Sequence, residues 1–141
     1  MFVKTLTASL RDCDGLGHVN HAAYFEFMEE ARRDVFELFN PGLRLASWNL
    51  IVGSARCDFL AQVTYAEALE VATWIGRVGN SSFVVDHALR NAEGKWVARG
   101  QATLIHYDYG QRCAQPLPPA IRRTLLGHGE GPEGAPGLHW T

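Results

Sequence analysis

Hydrophobic and polar side chains alternate with a period of two over residues 2–11, which is typical of a half-buried strand. Over residues 22–39 the apolar side chains recur every three or four positions instead, which predicts an amphipathic helix largely covered by other structure. Asn40-Pro41-Gly42 ends this helix, because proline cannot continue the hydrogen-bond ladder and glycine accepts a left-handed conformation.

The second half of the chain has the pattern of strands joined by short turns. Alternating or mostly apolar stretches cover residues 50–59, 68–78, 82–91 and 95–107, and glycine-containing turns connect the last three. Hairpin-linked strands are antiparallel, and the apolar face of such a sheet must cover something. With one long helix available, the pattern predicts an α+β fold in which the sheet wraps around that helix.

The end of the chain changes in composition. A proline-rich piece, residues 116–119, closes the last strand region, and residues 120–126 predict a short helix. From Gly127 onward the chain is rich in glycine and proline, which is typical of a flexible linker. We therefore divide the chain into a domain of residues 1–126 and a C-terminal tail of residues 127–141.

Length and charge narrow the class of protein. A chain of 141 residues with 47% apolar and 20% charged side chains has the size and composition of one globular domain. The net charge of -2 comes from well-mixed signs without a basic run, so we expect no nucleic acid partner. No apolar run approaches the ~20 residues that cross a bilayer, and the N-terminus lacks the apolar region of a signal peptide, so we expect no membrane partner and a cytoplasmic protein.

The three cysteines, Cys13, Cys57 and Cys113, are widely spaced and odd in number. Neither a disulfide framework nor a zinc site is indicated by this spacing, and we interpret all three as reduced thiols. Cys13 beside His18 has two interpretations: a nucleophile, or a small residue that fills the end of a strand.

Chemistry-bearing side chains are concentrated in residues 11–24, directly before the predicted helix. Asp14 lies on a glycine-flanked loop about one turn before the helix start, where free N–H groups and the helix dipole favour a negative oxygen. A carboxylate beside such an oxyanion hole suits hydrolysis of an activated acyl group. Asp14 would attack the carbonyl or deprotonate a water, and N–H groups near His21 and Ala22 would polarise the carbonyl. The alternative is that Asp14 only forms a turn, with its side chain bonded to the backbone.

The same stretch resembles the signature of the 4-hydroxybenzoyl-CoA thioesterase family, which has the hotdog fold. The matching residues are Asp12-Cys13-Asp14-x-x-Gly17-His18-Val19-Asn20-His21-x-x-Tyr24, followed by Glu29-x-Ala31-Arg32. The order of strand, helix and four strands is also similar over residues 2–126. The resemblance implies an antiparallel five- or six-stranded sheet wrapped around one long central helix.

The resemblance also implies a function, namely hydrolysis of an acyl-CoA thioester to a free acid and CoA. It implies that no cofactor and no metal take part. The partners implied are the acyl-CoA substrate and further copies of the chain, as a homodimer or a dimer of dimers (a homotetramer) with active sites at the subunit interfaces.

Site residues follow from the resemblance position by position. Asp14 corresponds to the family's nucleophile or general base, and His21 to the position whose backbone N–H polarises the thioester carbonyl. Some relatives carry histidine and others asparagine at this place, so action of the His21 side chain stays open. His18 is a candidate for orienting Asp14 or a water, or a structural hydrogen-bonding residue. Asn20 and Tyr24 are candidate substrate contacts, with helix capping and core packing as their alternatives.

Two other functions remain compatible with the sequence. A non-catalytic module that binds or senses acyl-CoA could use the same scaffold, because a fold does not determine a function. A hydratase would need an Asp and His pair over the α and β carbons, which Asp14 and His18 could imitate. Seven arginines could bind the phosphates of CoA, and no sequence pattern selects among them.

Overall fold

The structure is a computed structural model that describes residues 1–139. The last two residues of the predicted tail, Trp140 and Thr141, lie outside the described residues. Over residues 1–139 the chain forms six strands and three α-helices: β1 (Phe2–Thr7), α1 (His21–Ala31), α2 (Arg33–Phe39), β2 (Leu50–Phe59), β3 (Ala68–Val78), β4 (Ser82–Asn91), β5 (Trp96–Asp108), β6 (Cys113–Ala114) and α3 (Pro119–Leu126).

The strands form one antiparallel sheet in the order β1-β3-β4-β5-β2, with the two-residue β6 paired to β5. The strands β1 and β2 are therefore its edges. A β-bulge between Val52 and Ser54 shifts the register of β2 against β5, and another between Ile75 and Arg77 shifts β3 against β4. Bulges of this kind bend a strand and increase its twist. The predicted α+β fold, with an antiparallel sheet of five or six strands, is confirmed.

The inner face of the sheet packs against α1 and α2. Met28 of α1 lies so close to Gly100 of β5 that a Cβ at position 100 would be 2.0 Å from the Met28 sulfur. Two clusters of buried apolar side chains fill the space between helices and sheet, one around α1 and one around α2. The predicted helix over residues 22–39 is thus correct in position and in the face that it buries.

The central helix is not continuous, because it breaks at Arg32 between α1 and α2. Arg32 has φ -81° and ψ 0°, and its N–H is shared between the carbonyl oxygens of Met28 and Glu29. Its side chain points into the core, where it is only 4% exposed. An arginine at this depth needs a hydrogen-bond acceptor.

That acceptor is His87 of β4, which is fully buried. The Nη1 of Arg32 lies 3.2 Å from Nε2 of His87, and Nδ1 of His87 lies 2.9 Å from Oγ1 of Thr73. Because a guanidinium only donates, Nε2 must accept and Nδ1–H must donate to the Thr73 hydroxyl. His87 is therefore a neutral imidazole. Burial, followed by the positive charges of Arg32 and Arg99, lowers the pKa of His87 well below its usual range.

This network predicts a loss of stability in mild acid. Because the folded state resists protonation of His87, the unfolded chain binds one more proton once the pH falls below about 6.5, the ordinary histidine pKa. The free energy of unfolding should then fall by up to about 1.4 kcal/mol per pH unit from this group. Urea unfolding at pH 7.5 and 5.5 should show a smaller decrease for His87→Gln than for wild type. His139→Gln, which removes an exposed imidazole, is the control, and equal slopes for His87→Gln and wild type would contradict the assignment.

The glycine-rich end of the chain packs against the sheet over its described length. Residues 127–139, which we call the C-terminal strap, lie across the outer face from β3 to β2. The sequence indicated a flexible linker there. The contacts of the strap are with the backbone and side chains of distant strands.

Candidate active site

The loop before α1 is built by two aspartates with different tasks. Asp12 ends a short 3-10 helix, Leu10–Asp12, and its Oδ2 accepts the N–H and the hydroxyl of Ser9, both at 2.8 Å. This capping occupies Oδ2 of Asp12 and satisfies backbone groups of the turn, and Asp12 is not among the residues that line the cleft described below. The first aspartate of the Asp-x-Asp pair is thus structural.

Asp14 is exposed, and one of its carboxylate oxygens organises the loop. Oδ1 accepts the backbone N–H groups of Leu16 at 2.8 Å and His18 at 3.3 Å. The turn needs a left-handed residue, which Gly17 supplies with φ +82°. Within residues 1–139, Oδ2 of Asp14 has no hydrogen-bond partner. The structure thus combines the predicted turn with a carboxylate whose second oxygen is free to react.

The start of α1 lies beside this carboxylate. Asn20 is the N-cap, and its Oδ1 accepts the N–H of Ala22 at 2.9 Å. Its carbonyl oxygen accepts the N–H of Ala23 at 3.0 Å. The backbone N–H of His21 has no acceptor in the described part of the chain. The sequence indicated N–H groups near both His21 and Ala22, and the structure leaves only that of His21 available.

Aromatic rings that pack against one another form the other side of the site. The imidazole of His21 stacks on Phe59 at the end of β2, with ring centroids 4.2 Å apart. Tyr24 meets the same Phe59 ring edge-on at 5.1 Å. Tyr24 is only 2% exposed, and burial raises its pKa to about 12. Its hydroxyl is therefore a neutral donor at physiological pH.

These residues surround one open cleft of about 510 Å³. All five residues predicted from the sequence lie along it, namely Asp14, His18, Asn20, His21 and Tyr24. Phe59, at the end of β2, also lines the cleft. The remaining wall consists of residues to which the sequence assigned no role in a site: Leu16, Val19, Leu60, Ala61 and Gln62.

His18 touches Asp14 through its backbone. Its N–H donates to Oδ1 of Asp14, and its carbonyl oxygen accepts the N–H of Asp14 at 2.8 Å. The chain around His18 also pairs with Thr64 through an isolated β-bridge. In residues 1–139 the imidazole has no hydrogen-bond partner, although it lines the cleft. The ring therefore does not orient Asp14 in this structure.

The cleft has neither an arginine nor a cluster of metal-binding side chains among the described residues. Arg90 pairs with Glu70 and Arg99 with Asp86, and no arginine of the described chain lines the cleft. A group of three or more His, Cys, Asp or Glu side chains able to hold a metal does not occur in residues 1–139. No helix in that range has the length and hydropathy needed to span a membrane.

A second cleft, of about 380 Å³, lies on the other end of β2 and on the helices. Glu29, Glu30 and Arg33 lie at its polar side, and Arg33 pairs with Glu30 at 3.4 Å. Glu29 lies three positions before Arg32 in the chain, a spacing that allows an ion pair on a helix. In the structure the Arg32 side chain bonds to His87 instead. The remaining lining is apolar: Phe36, Leu43, Leu45, Trp48, Leu50, Ile51, Val52 and Leu104.

The family model and the solved structures that are similar to this chain agree on one family. The family model for the thioesterase-like superfamily matches residues 8–125. The fold is similar to a protein from Bacillus stearothermophilus described as a predicted thioesterase, with 27% identity, a TM-score of 0.89, and 93% of this chain and 98% of that chain covered. A search of curated proteins found no match.

Two further solved structures are similar. One is a thioesterase from Thermus thermophilus complexed with coenzyme A and Zn, with 28% identity, a TM-score of 0.78, and coverage of 88% of this chain and 96% of that one. The other is a 1,4-dihydroxy-2-naphthoyl-CoA thioesterase from Synechocystis, with 24% identity, a TM-score of 0.76, and coverage of 89% and 95%. At this identity the Synechocystis protein supports the fold alone.

Proposed function

Because this chain belongs to the thioesterase-like superfamily and has the hotdog fold, we propose that it hydrolyses an acyl-CoA thioester to a carboxylic acid and free CoA. The observation that carries the proposal is the pairing of two groups on one cleft. A carboxylate oxygen of Asp14 and the N–H of His21 are both without partners in residues 1–139. Thioester hydrolysis needs both: a base or nucleophile, and a donor for the carbonyl oxygen.

In the proposed reaction the thioester carbonyl oxygen accepts the His21 N–H at the positive end of α1. Asp14 then follows one of two routes. As a nucleophile it forms an acyl anhydride and expels the CoA thiolate, and water later hydrolyses the anhydride. As a general base it takes a proton from water, which attacks the carbonyl while the thiolate leaves. Both routes consume one water and yield the acid and the thiol.

The two routes differ in a covalent intermediate. Hydroxylamine traps an acyl-Asp14 anhydride, and oxygen-18 from labelled water enters the Asp14 carboxylate when water opens that anhydride at the protein side. Label confined to the product acid, without a trapped intermediate, favours the general base.

The other cleft residues have supporting roles in this proposal. Asn20 caps α1 through the N–H of Ala22 and leaves the N–H of His21, which borders the cleft, without an acceptor in residues 1–139. The stacking of His21 on Phe59 supports a packing role for the His21 side chain, so in this proposal only its backbone N–H polarises the carbonyl. Tyr24 offers its neutral hydroxyl as a donor to the substrate, and His18 borders the path for water.

A second copy of the chain fits the open edge of the sheet. The strand β2 lies at the edge of the sheet, and among the described residues it pairs with β5 alone. Three of its large apolar side chains are 37–45% exposed, namely Ile51, Val52 and Phe59. Antiparallel pairing of two β2 strands about a two-fold axis would cover this edge. It would also bring the apolar second cleft of one copy toward the Asp14 cleft of the other. We therefore propose a homodimer with sites at the interface, and leave open a dimer of dimers.

Thiol release from short-chain, long-chain and aromatic acyl-CoAs tests the function. We expect saturable release of CoA from at least one class, with no hydration of enoyl-CoA in parallel assays.

A non-catalytic acyl-CoA binding module is the second candidate, because Oδ1 of Asp14 already has a structural task in the loop. Binding of acyl-CoAs without any thiol release would favour that module and contradict the thioesterase.

A further inference from the structure

The C-terminal strap crosses the outer face of the sheet by a defined path. At its start, the carbonyl oxygen of His128 accepts the N–H of Ile75 at 2.8 Å, and the His128 ring stacks on Phe2. Further along, Gly131 lies on the indole of Trp74, since a Cβ at position 131 would be 2.6 Å from the ring. The strap thus begins beside β1 and passes over β3.

Its second half is bonded to two neighbouring strands. The Nε of Arg99 on β5 donates to the carbonyl oxygen of Pro136 at 2.9 Å. The N–H of His139 donates to Oδ2 of Asp58 on β2 at 2.8 Å. Asp58 and Arg99 are themselves register partners across the two strands. The strap therefore joins both members of one rung of the sheet.

This rung is next to the candidate active site. The following rung pairs Phe59 with Ala98, and Phe59 carries the ring that stacks on His21. After Phe59 the chain leaves the sheet and becomes the cleft wall formed by residues 60–62. Residues that the strap bonds are thus one position away from the residues that shape the cleft.

The side chains beneath the strap contact one another. Arg99 also bonds Asp86 at 2.8 Å and lies over the Trp74 ring at 4.9 Å. The side chains of Arg99 and Asp86 are only 10% and 5% exposed. A larger residue at position 131 would therefore have to displace either the Trp74 ring, together with its Arg99 contact, or the strap itself. The family model ends at residue 125, before the strap begins.

We propose that the C-terminal strap is a positioning element for the substrate cleft: by bonding Asp58 and Arg99 it holds the end of β2, and with it Phe59 and the wall of residues 60–62. This inference rests on the proposed function for its substrate. Without the strap the wall samples conformations that do not fit the acyl-CoA, so the apparent affinity falls by the fraction of time spent in them. The His21 N–H and Asp14 are held by their own loop and cap, so the chemical step is unaffected.

Two glycine substitutions in the full chain test this. Gly131→Val places a side chain against the Trp74 ring and should lift the strap, whereas Gly137→Val enters open space and is the matched control. For Gly131→Val we expect an increase in KM of about three- to tenfold, with kcat within about twofold of wild type. Amide hydrogen exchange should become faster in both residues 127–139 and 58–62. Asp58→Ala, which removes the carboxylate that accepts the His139 N–H and also pairs with Arg56, should raise KM in the same way.

The exchange measurement keeps the test independent of turnover. The dissociation constant of a hydrolysis-inert S-alkyl-CoA thioether provides a second readout and should rise with KM. If Gly131→Val leaves exchange in the strap unchanged, or speeds it without any change in residues 58–62, the positioning role is wrong. Faster exchange in both segments with unchanged thioether affinity also overturns it. Failure of wild type to bind the thioether or to release thiol would instead contradict the proposed function, while exchange still decides whether the strap holds β2.

Discussion

Replacing Asp14 by Asn is expected to lower kcat for acyl-CoA hydrolysis by about a hundredfold or more, a loss of ~3 kcal/mol of transition-state stabilisation. The amide preserves the loop, because its oxygen can accept the N–H groups of Leu16 and His18 as Oδ1 of Asp14 does. The second oxygen becomes an NH2 group, which is neither a nucleophile nor a base. KM should change little, since the shape of the cleft is retained.

Asp12→Asn is the matched control for this experiment. Its carboxylate lies in the same Asp-x-Asp pair, but within residues 1–139 it bonds only Ser9 and does not line the cleft, so kcat should stay within a few-fold of wild type. Circular dichroism and thermal unfolding of both variants verify the fold. Equal effects of the two substitutions, or full activity in Asp14→Asn, would refute the role of Asp14.

The largest loss of stability is expected from His87→Leu. Leucine removes the only side-chain hydrogen bond of the Arg32 guanidinium within residues 1–139 and leaves a charged group buried in the core. Leaving one charge uncompensated in this way costs about 3–5 kcal/mol of the free energy of unfolding. The Nε of Arg32 already has no partner in the described chain, so the substitution leaves its guanidinium without any side-chain hydrogen bond there, and only the charge of Glu29 still favours the cation.

Arg32→Met in the His87→Leu background should restore most of this loss. An apolar pair of similar volume removes the buried charge and fills the same space. Chemical denaturation of wild type, both single variants and the double variant closes a thermodynamic cycle. Additive effects of the two substitutions would show that Arg32 and His87 do not interact in the folded protein.

Local patterns predicted much of this fold, and the residues show why. The three- and four-residue spacing along residues 22–39 depends only on which face is buried, and α1 and α2 keep that face. The break at Arg32 was hidden, because it depends on an acceptor, His87, that lies 55 residues away. The strap was likewise hidden. Its glycines are typical of a linker, and only the position of Trp74 on the folded sheet gives Gly131 a rigid surface to lie on.

In the candidate site, too, the local sequence predicted some features, whereas others depend on the folded path of the chain. Asp14, Asn20 and His21 stand in one short segment, so their spacing and the helix start indicated chemistry at this place. Which N–H stays free depends on the rotamer of Asn20, which no sequence pattern specifies. Residues 60–62 carry no chemistry of their own and became part of the cleft only through the path of the chain after β2.

The distant contacts of the strap impose an order on folding. Its bonds to Arg99 and Asp58 span 37 and 81 residues, and both partners must already be paired strands when the strap arrives. Contacts that span so many residues carry a large loop-closure cost, so we expect the strap to dock late, on a sheet that has already formed. A nascent chain can therefore complete its core, with Asp14 and α1 in place, before the end of β2 is secured. The protein would then become able to bind its substrate in a separate step, after the collapse of the domain.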